Sequence, residues 1–396
     1  MPALSIEMAV PADPAVEPEV SALPAAPGVF LFEGDSGGCL SLAITANLRR
    51  LVRARLQPHD AAGGPTRRID YRRLTRTVRA ATVGSAFEAD WAYLQMARQR
   101  LPTTYASILD HWQGWFVHVN PQARFPRWVK TAHPFAPPTG RGGVHIGPMA
   151  DKHAAARYIE AIEDGFDLCR YYHILLESPR ASACAYKEMG RCPAPCDGSI
   201  SMDEYRSMMH RAAEFAAQPV DAALAKIEAD MADASRALAF ERAEKLRTLA
   251  LRLAPLKRAE FTHARAAEDF RYLGIYPSEA PGWARLFLIL GGWVEPVADV
   301  STGADASTLD EVLDALAARA AAQPPCFEGE AAENVGLICR HLFRPSSDRR
   351  PGELVPLEEA LQSEALRRAL RRLRKRMEKP EEGDSLPDQV MEAFCD

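Results

Sequence analysis

Cysteine side chains give the clearest chemical signal in this sequence. Four of the eight cysteines fall within 28 residues, at Cys169, Cys184, Cys192 and Cys196. Four thiolates that converge on one loop suit a soft metal centre, which is either tetrahedral zinc or an iron–sulfur cluster. A proline on each side of Ala194 keeps the last two cysteines out of helix geometry. The spacings lack the C-x-x-C pairs of zinc ribbons, which favours iron–sulfur, and four buried thiols that only fill space are the alternative.

A helical hairpin is the second pattern. Between residues 219 and 256, apolar residues recur at helical spacing on both sides of a break at residues 237–239. This spacing predicts two antiparallel helices joined by a short turn. One apolar face would contain Met231, Leu238, Phe240, Ala243, Leu246 and Leu253. By itself, such a hairpin indicates no more than an internal packing element.

Arginines crowd two segments with helical periodicity. The first segment contains Arg49, Arg50, Arg53 and Arg55. The second is EALRRALRRLRKRMEK, in which Leu366, Leu370 and Leu373 form the opposite, apolar stripe. Guanidinium groups in such rows suit the phosphate backbone of DNA. An ordinary solvated helix face is the alternative reading of each row.

The composition limits the class of protein. The chain has 396 residues, of which 47% are hydrophobic and 26% charged, enough for two or three domains. The net charge of -5 gives no overall sign of a nucleic-acid binder, so any prediction of nucleic-acid binding depends on the local basic segments. No apolar run approaches the length of about 18 residues that a membrane span needs. The first twenty residues lack the basic start and apolar core of a signal peptide, which favours a cytoplasmic protein.

The elements that would position these residues have an α+β pattern. Residues 1–25 are predicted to be a disordered tail, and residues 26–106 a small α/β domain that begins with the strands GVFLFEG and CLSLAI. Residues 107–201 form a linker region that contains the cysteine cluster. Residues 202–265 are helical and include the hairpin. Residues 266–396 form a C-terminal α/β domain that ends in the second basic helix.

The cysteine segment carries a family resemblance. The run CAYKEMGRCPAPCDGSI resembles the linker of the UvrC/Cho family, in which similar cysteines hold an iron–sulfur cluster. The resemblance implies a 4Fe–4S cluster on Cys169, Cys184, Cys192 and Cys196, with zinc as the alternative. Cys169 lies slightly before the usual position of the first ligand, which falls near Tyr171.

The hairpin is similar to the UVR motif that UvrB and UvrC share. The residues of that motif are present as Met231, Leu238, Phe240, Glu241, Ala243, Leu246 and Arg247, whereas Thr248 stands where an aspartate is usual. A hairpin buries little surface alone, so pairing with a second hairpin is physically reasonable. The resemblance implies that Met231, Leu238, Phe240, Glu241 and Leu246 dock a UvrB-like partner.

The front of the chain resembles a GIY-YIG nuclease domain in its layout. That family uses two tyrosines, a lysine, an arginine and a metal-binding glutamate around the scissile phosphate. The matching positions here are Phe30, Ser41, Ile44, Leu51 and Tyr93, none of which keeps the family's chemical group. A shifted register would place Glu88 or Asp90 in the metal position, and a solvated helix face is the other reading of these two carboxylates.

These patterns predict a UvrC/Cho-like protein of nucleotide excision repair with a degenerate nuclease domain. It would bind DNA, a UvrB-like protein or both, through Arg49, Arg50, Arg53 and Arg55 and through the hairpin. Two alternatives stay open. One is an active, metal-dependent excinuclease with a rearranged site, and the other is a cluster-containing interaction module that does not act on DNA.

Overall fold

The computed structural model describes residues 4–57, 69–136, 139, 142–345, 348, 350–378 and the backbone of 393–394. Three antiparallel sheets and many helices make up this part of the chain, in agreement with the α+β prediction. Among the residues described, no helix combines the length and apolar character that crossing a membrane requires.

The front unit is an antiparallel sheet with helices on both faces. Its elements are β1 (Ile6–Ala9), β2 (Gly28–Glu33), β3 (Cys39–Thr45), α1 (Leu48–Arg55), α2 (Tyr71–Leu74), β4 (Thr77–Thr82), α3 (Ala86–Arg100) and α4 (Tyr105–Asp110). The strand order is β1-β4-β2-β3, and the two predicted strands, β2 and β3, form an antiparallel pair. The side chain of Asn47 accepts a hydrogen bond from the amide of Arg50 and thereby fixes the start of α1.

Residues 4–25 are ordered, so the prediction of a disordered tail was wrong for them. Strand β1 pairs with β4, and Met8, Val10, Val20 and Leu23 are buried in the core under α1. Composition was misleading here, because prolines and acidic residues surround a short apolar segment. That segment covers the edge of β4, which would otherwise present unpaired backbone groups to solvent.

The middle unit places the cysteines and the hairpin. Its elements are β5 (Trp115–Val119), β6 (Trp128–Thr131), β7 (Val144–Met149), α5 (Lys152–Gly165), α6 (Tyr172–Leu175), α7 (Ala185–Glu188), α8 (Met202–Ala216), α9 (Val220–Arg236), α10 (Phe240–Leu253) and β8 (Arg265–Ala266). The sheet order is β6-β5-β7-β8. A capping box of Ser201 and Glu204 starts α8 directly after the cysteine segment. The region predicted as a linker thus contains a sheet and helices of its own.

The C-terminal unit is a four-stranded sheet covered by helices. Its elements are β9 (Arg271–Pro277), β10 (Trp283–Leu290), β11 (Trp293–Ser301), α11 (Ala306–Ala322), α12 (Glu330–Leu342), β12 (Glu353–Pro356), α13 (Leu357–Ala360), α14 (Ser363–Glu378) and β13 (Ala393–Phe394). The strand order is β11-β10-β9-β12, and the backbone of β13 pairs with β3 of the front sheet. A turn at Gly291 and Gly292 joins β10 to β11.

The front and C-terminal units share one hydrophobic core. Helix α3 lies between them, and the ring of Phe87 stacks on Tyr276 with centroids 4.8 Å apart and contacts Phe287 at 5.1 Å. The approach is close at Gly84, where a Cβ atom would lie 2.4 Å from the carbonyl oxygen of Pro277. A side chain at residue 84 would therefore separate the two units.

Candidate functional site

The four clustered cysteines lie in one loop region between α5 and α8. Cys192 and Cys196 are buried, whereas Cys169 and Cys184 are half-buried. Ala194, between the last two cysteines, has a left-handed backbone with φ of 55°. The carbonyl of Cys196 accepts a hydrogen bond from the amide of Ala181 at 3.0 Å, which closes the loop on itself.

Neighbouring groups fix the ends of this loop. The amide of Cys169 donates to the hydroxyl oxygen of Tyr205 on α8 at 3.2 Å. The ammonium of Lys187 donates to Asp197 at 2.5 Å and to the hydroxyl of Ser199 at 2.6 Å. The bond from Lys187 holds the pKa of Asp197 down to about 2. Sequence reasoning missed Tyr205 because it lies 36 residues from Cys169 and no local pattern links the two.

The thiols influence one another electrostatically. A hydrogen bond between Cys169 and Cys192 lowers the pKa of Cys192 to about 7 and, together with burial, raises the pKa of Cys169. Burial raises the pKa of Cys196, and the charges of Cys192 and Cys184 act in the same direction. The structure therefore brings all four predicted cysteines into one neighbourhood.

The donor set consists of four thiols, which suit either a zinc ion or an iron–sulfur cluster. Across the described ranges of the chain, no group of three or more cysteine, histidine or acidic side chains is arranged around one metal ion. Zinc needs its ligands about 2.3 Å from a common point. Each iron of a 4Fe–4S cluster takes its own thiolate, so the sulfurs need not surround one point. The cluster on these four residues stays a prediction.

The tip of the hairpin between α9 and α10 is apolar and exposed. Leu238 is 72% exposed and Phe240 is 65% exposed, while Met231 on α9 and Leu246 on α10 are half-buried. Glu241 is exposed at the same end. Of the five residues predicted to bind a partner, Leu238, Phe240 and Glu241 thus lie together at the tip, whereas Met231 and Leu246 lie further along the two helices.

The backbone conformation of Leu238 at the tip is unfavourable for a leucine. Leu238 has φ of 57°, a left-handed conformation that costs a non-glycine residue roughly 1–2 kcal/mol. The turn closes through bonds from the amides of Leu238 and Ala239 to the carbonyls of Ser235 and Ala234, at 3.0 and 2.9 Å. Glycine is the usual residue at this point of a helix end. A strained and exposed leucine here contributes little to the fold.

The base of the hairpin is firmly packed, in contrast to its tip. Leu253 is fully buried at the end of α10. A Cβ atom on Gly165 of α5 would lie 2.5 Å from the Leu253 side chain, so the two helices are in close contact. The hairpin thus projects from a packed base, and Leu238 and Phe240 at its tip are mostly exposed.

The five nuclease-like positions do not converge in the front unit. Phe30 on β2 and Ser41 on β3 face α1, and Leu51 packs against that same cluster. Ile44 on β3 and Tyr93 on α3 belong to the core on the opposite face of the sheet. Successive side chains of a strand alternate between faces, so Ser41 and Ile44 cannot line one cleft.

The face that holds Phe30 contains an arginine that sequence reasoning assigned to DNA binding. The guanidinium of Arg55 donates to the hydroxyl of Ser41 at 3.2 Å and lies 5.6 Å from the Phe30 ring centroid. Arg49 similarly donates to the carbonyl of Leu23 at 2.7 Å. Arg50 and Arg53 are exposed along a groove of about 320 Å³. The four predicted arginines therefore divide into two that contact the protein interior and two that face solvent.

Glu88 and Asp90 are buried and paired, so the reading of a solvated helix face was wrong. Glu88 accepts from the amide of Gly84 at 2.8 Å and forms an ion pair with Arg285 of β10. Asp90 contacts the ring Nε2 of His341 on α12 at 2.9 Å. Burial raises the pKa of Glu88 in spite of Arg285. Both carboxylates join the front unit to the C-terminal unit, which leaves neither directed at a phosphate.

Known proteins resemble this chain over a large part of its length. Residues 115–215, which contain all four clustered cysteines, match the family model of the UvrC/Cho excinuclease, middle domain. The chain is 23% identical over 314 residues to the UvrABC system protein C of Thermobifida fusca, covering 73% of this chain and 45% of that protein. It is 24% identical over 276 residues to the protein of the same name from Hyphomonas neptunium, covering 68% and 43%.

A third relative is the UvrABC system protein C of Halobacterium salinarum, 28% identical over 242 residues, with 59% of this chain and 39% of that protein covered. The chain thus spans less than half the length of the curated relatives it matches. No solved structure matches it.

Proposed function

We propose that this UvrC/Cho-like chain acts in nucleotide excision repair as a docking component that binds a UvrB-like protein and DNA and does not cut the strand. The observation that carries the proposal is the exposure of Leu238 and Phe240 at the tip of a rigidly based hairpin. Large apolar side chains that cluster on a surface mark sites of interaction with another protein.

A second helical hairpin is the occupant that this end fits. The apolar tip is short and consists of Leu238 in the turn and Phe240 at the start of α10, which suits pairing with the tip of a similar hairpin. Glu241 lies at the rim, where a charged residue restricts the partners that can pair. The strain at Leu238 supports the same conclusion, because a leucine stands where glycine would relieve the backbone.

The absence of cutting is supported by the front unit. Metal-dependent hydrolysis of a phosphodiester needs a hard cation held by carboxylates, and a positively charged side chain close to the phosphate assists it. Glu88 and Asp90 are paired with Arg285 and His341 in the interior. Phe30 lacks the hydroxyl that would move a proton, and Tyr93 offers no carboxylate.

The four cysteines are proposed to hold a 4Fe–4S cluster, with zinc as the alternative. A bound cluster would cross-link the loop through bonds from iron to Cys169, Cys184, Cys192 and Cys196. This cross-link would fix the loop beside α8, which leads directly into the hairpin. Anaerobically purified protein should contain about four irons for each chain, and Cys192→Ala should lose iron and the visible absorption. Zinc with no iron in the same preparation would contradict the iron–sulfur assignment.

Partner docking can be tested with two matched leucines. Leu238→Glu should abolish binding of the full chain to a UvrB-like protein, because it places a charge in the apolar tip. Leu251→Glu is the control, since Leu251 is 61% exposed on α10 but lies more than two helical turns from the tip. Equal binding by wild type and Leu238→Glu would refute the docking role of the tip.

A cleavage assay separates the proposal from the active-nuclease alternative. The full chain and its UvrB-like partner are incubated with a damaged duplex, labelled at one end, in Mg²⁺ or Mn²⁺. No nicked product should form. A nick that the wild type makes and Glu88→Gln does not make would establish catalysis by this chain.

A further inference from the structure

Helix α14 presents a stripe of positive charge that the fold does not use. Seven of its sixteen residues are arginine or lysine, against two glutamates. The apolar side, which includes Leu366, Leu370 and Leu373, is buried against the C-terminal sheet as the sequence predicted. The cations are thereby forced onto the opposite side, because the helix repeats every 3.6 residues.

Ion pairing divides these cations into two groups. Arg367 pairs with Glu364 at 3.3 Å, Arg372 with Glu353 at 2.7 Å and Arg374 with Glu378 at 2.7 Å. Among the described residues, no ion-pair or hydrogen-bond partner is found for the other four cations of the helix, which are Arg368, Arg371, Lys375 and Arg376. Several exposed charges of one sign therefore remain uncompensated on a single helix.

Three of the unpaired cations share the outermost face. Arg368, Arg371 and Lys375 are separated by three and four residues, the spacing that stacks side chains on one side of a helix. They span about 10 Å along the axis at 1.5 Å per residue. We name Arg368, Arg371 and Lys375 the α14 stripe. A straight, evenly spaced row of cations matches a ligand whose negative charges repeat along a line.

A groove beside the stripe provides room for an anionic group. It has a volume of about 250 Å³ and lies between α14 and the start of α11. Three arginines line it, namely Arg367, Arg371 and Arg374, of which Arg371 has no ion-pair partner among the described residues. Guanidinium groups bind phosphate oxygens through two parallel hydrogen bonds, so this groove suits a phosphate group.

We propose that the α14 stripe and its groove bind the phosphate backbone of DNA without reading its sequence. A nucleic-acid backbone is the occupant because its phosphates repeat along a line, as the cations of the stripe do, and because guanidinium groups bind phosphate oxygens in pairs. The proposal rests on the proposed binding of DNA and names the surface that supplies it. It differs from the prediction for α1, where Arg49 and Arg55 are engaged with the protein itself.

The test measures how DNA affinity of the full chain depends on salt. Fluorescence anisotropy with a labelled duplex gives the slope of log association constant against log salt concentration. Arg368→Gln, Arg371→Gln and Lys375→Gln are combined in one stripe variant. Each lost phosphate contact reduces the slope by about 0.9, so three lost contacts reduce it by about 2.7.

Two further variants control for net charge and for folding. Lys226→Gln, Arg242→Gln and Lys245→Gln together remove the same charge from exposed positions on the hairpin and should change the slope by less than about 1. Arg368→Lys combined with Arg371→Lys keeps the charge and should retain most of the wild-type slope, since phosphate contact depends mainly on charge. Equal loss in the stripe and hairpin variants would overturn the proposal.

The other possible results of this experiment also test the proposal. If the wild type binds DNA and the stripe variant keeps its slope, the stripe assignment is wrong while DNA binding stands. If the wild type shows no salt-dependent binding, the DNA part of the proposed function fails and the stripe fails with it. If polyglutamate competes as well as DNA and depends on the same three residues, the surface binds acidic protein and the proposal is overturned.

Discussion

Phe240→Ala is expected to separate docking from folding at the hairpin tip. A phenylalanine buries roughly 200 Å² when it is fully covered. Phe240 is 65% exposed in the free chain, so docking against a partner would cover about 130 Å² of ring surface. At about 25 cal/mol per Å², and allowing for the Cβ that alanine keeps, the side chain contributes roughly 2–3 kcal/mol to binding.

The same estimate limits the effect on folding. The covered third of the ring in the free chain amounts to about 70 Å², so the loss of unfolding free energy should stay below about 2 kcal/mol. Binding should weaken by roughly 30- to 150-fold. The variant should therefore be a folded protein that has lost most of its affinity for the partner.

The assay compares two measurements on the same preparations. Anisotropy of a labelled UvrB-like helical hairpin gives the dissociation constant, and urea unfolding gives stability. Leu251→Ala is the control, because it removes a similarly exposed apolar side chain away from the tip. An affinity of Phe240→Ala within threefold of wild type would refute the docking argument, and an equal loss in Leu251→Ala would show that the effect is not specific to the tip.

Three other expectations follow from the described contacts. Leu238→Gly should leave the free energy of unfolding within about 1 kcal/mol of wild type, because relief of the left-handed strain offsets the lost packing and the greater entropy of the unfolded chain. The same variant should weaken partner binding at least tenfold in the anisotropy assay. His145 is fully buried, and burial together with the nearby His118 lowers its pKa to about 4. The unfolded chain takes up this proton near pH 6.5, so the stability from neutral His145 is complete above that pH and is lost as pH falls towards 4, by about 3 kcal/mol in all. His145→Gln should flatten this acid limb in unfolding curves measured from pH 7 to 4, and an unchanged limb would contradict the assignment. Glu88→Gln should lower the free energy of unfolding by about 1–3 kcal/mol in urea, because the charge-assisted bond to Arg285 is lost, and no change would show that this pair does not hold the two units together.

The sequence alone determined the features that depend on local spacing. Helical periodicity predicted α9, α10 and the basic α14, because a side chain's face follows from its position in a repeating element, and short apolar runs predicted β2 and β3. The cysteine cluster and the hairpin motif also carried the family resemblance, which the UvrC/Cho matches confirmed. Such motifs can be recognised in a single sequence because their residues lie within fewer than 30 positions of one another.

Only the tertiary structure decided which groups meet across long distances in the chain. Glu88 and Arg285 are 197 residues apart, and Asp90 and His341 are 251 residues apart, so no local pattern links them. The order of residues 4–25 likewise depends on β4, a strand some seventy residues away that supplies the missing backbone partners. Whether a polar side chain contacts water, a ligand or another domain depends on how the sheets pack together. That packing separated the nuclease-like positions onto two faces and left Leu238, Phe240 and the α14 stripe open to solvent.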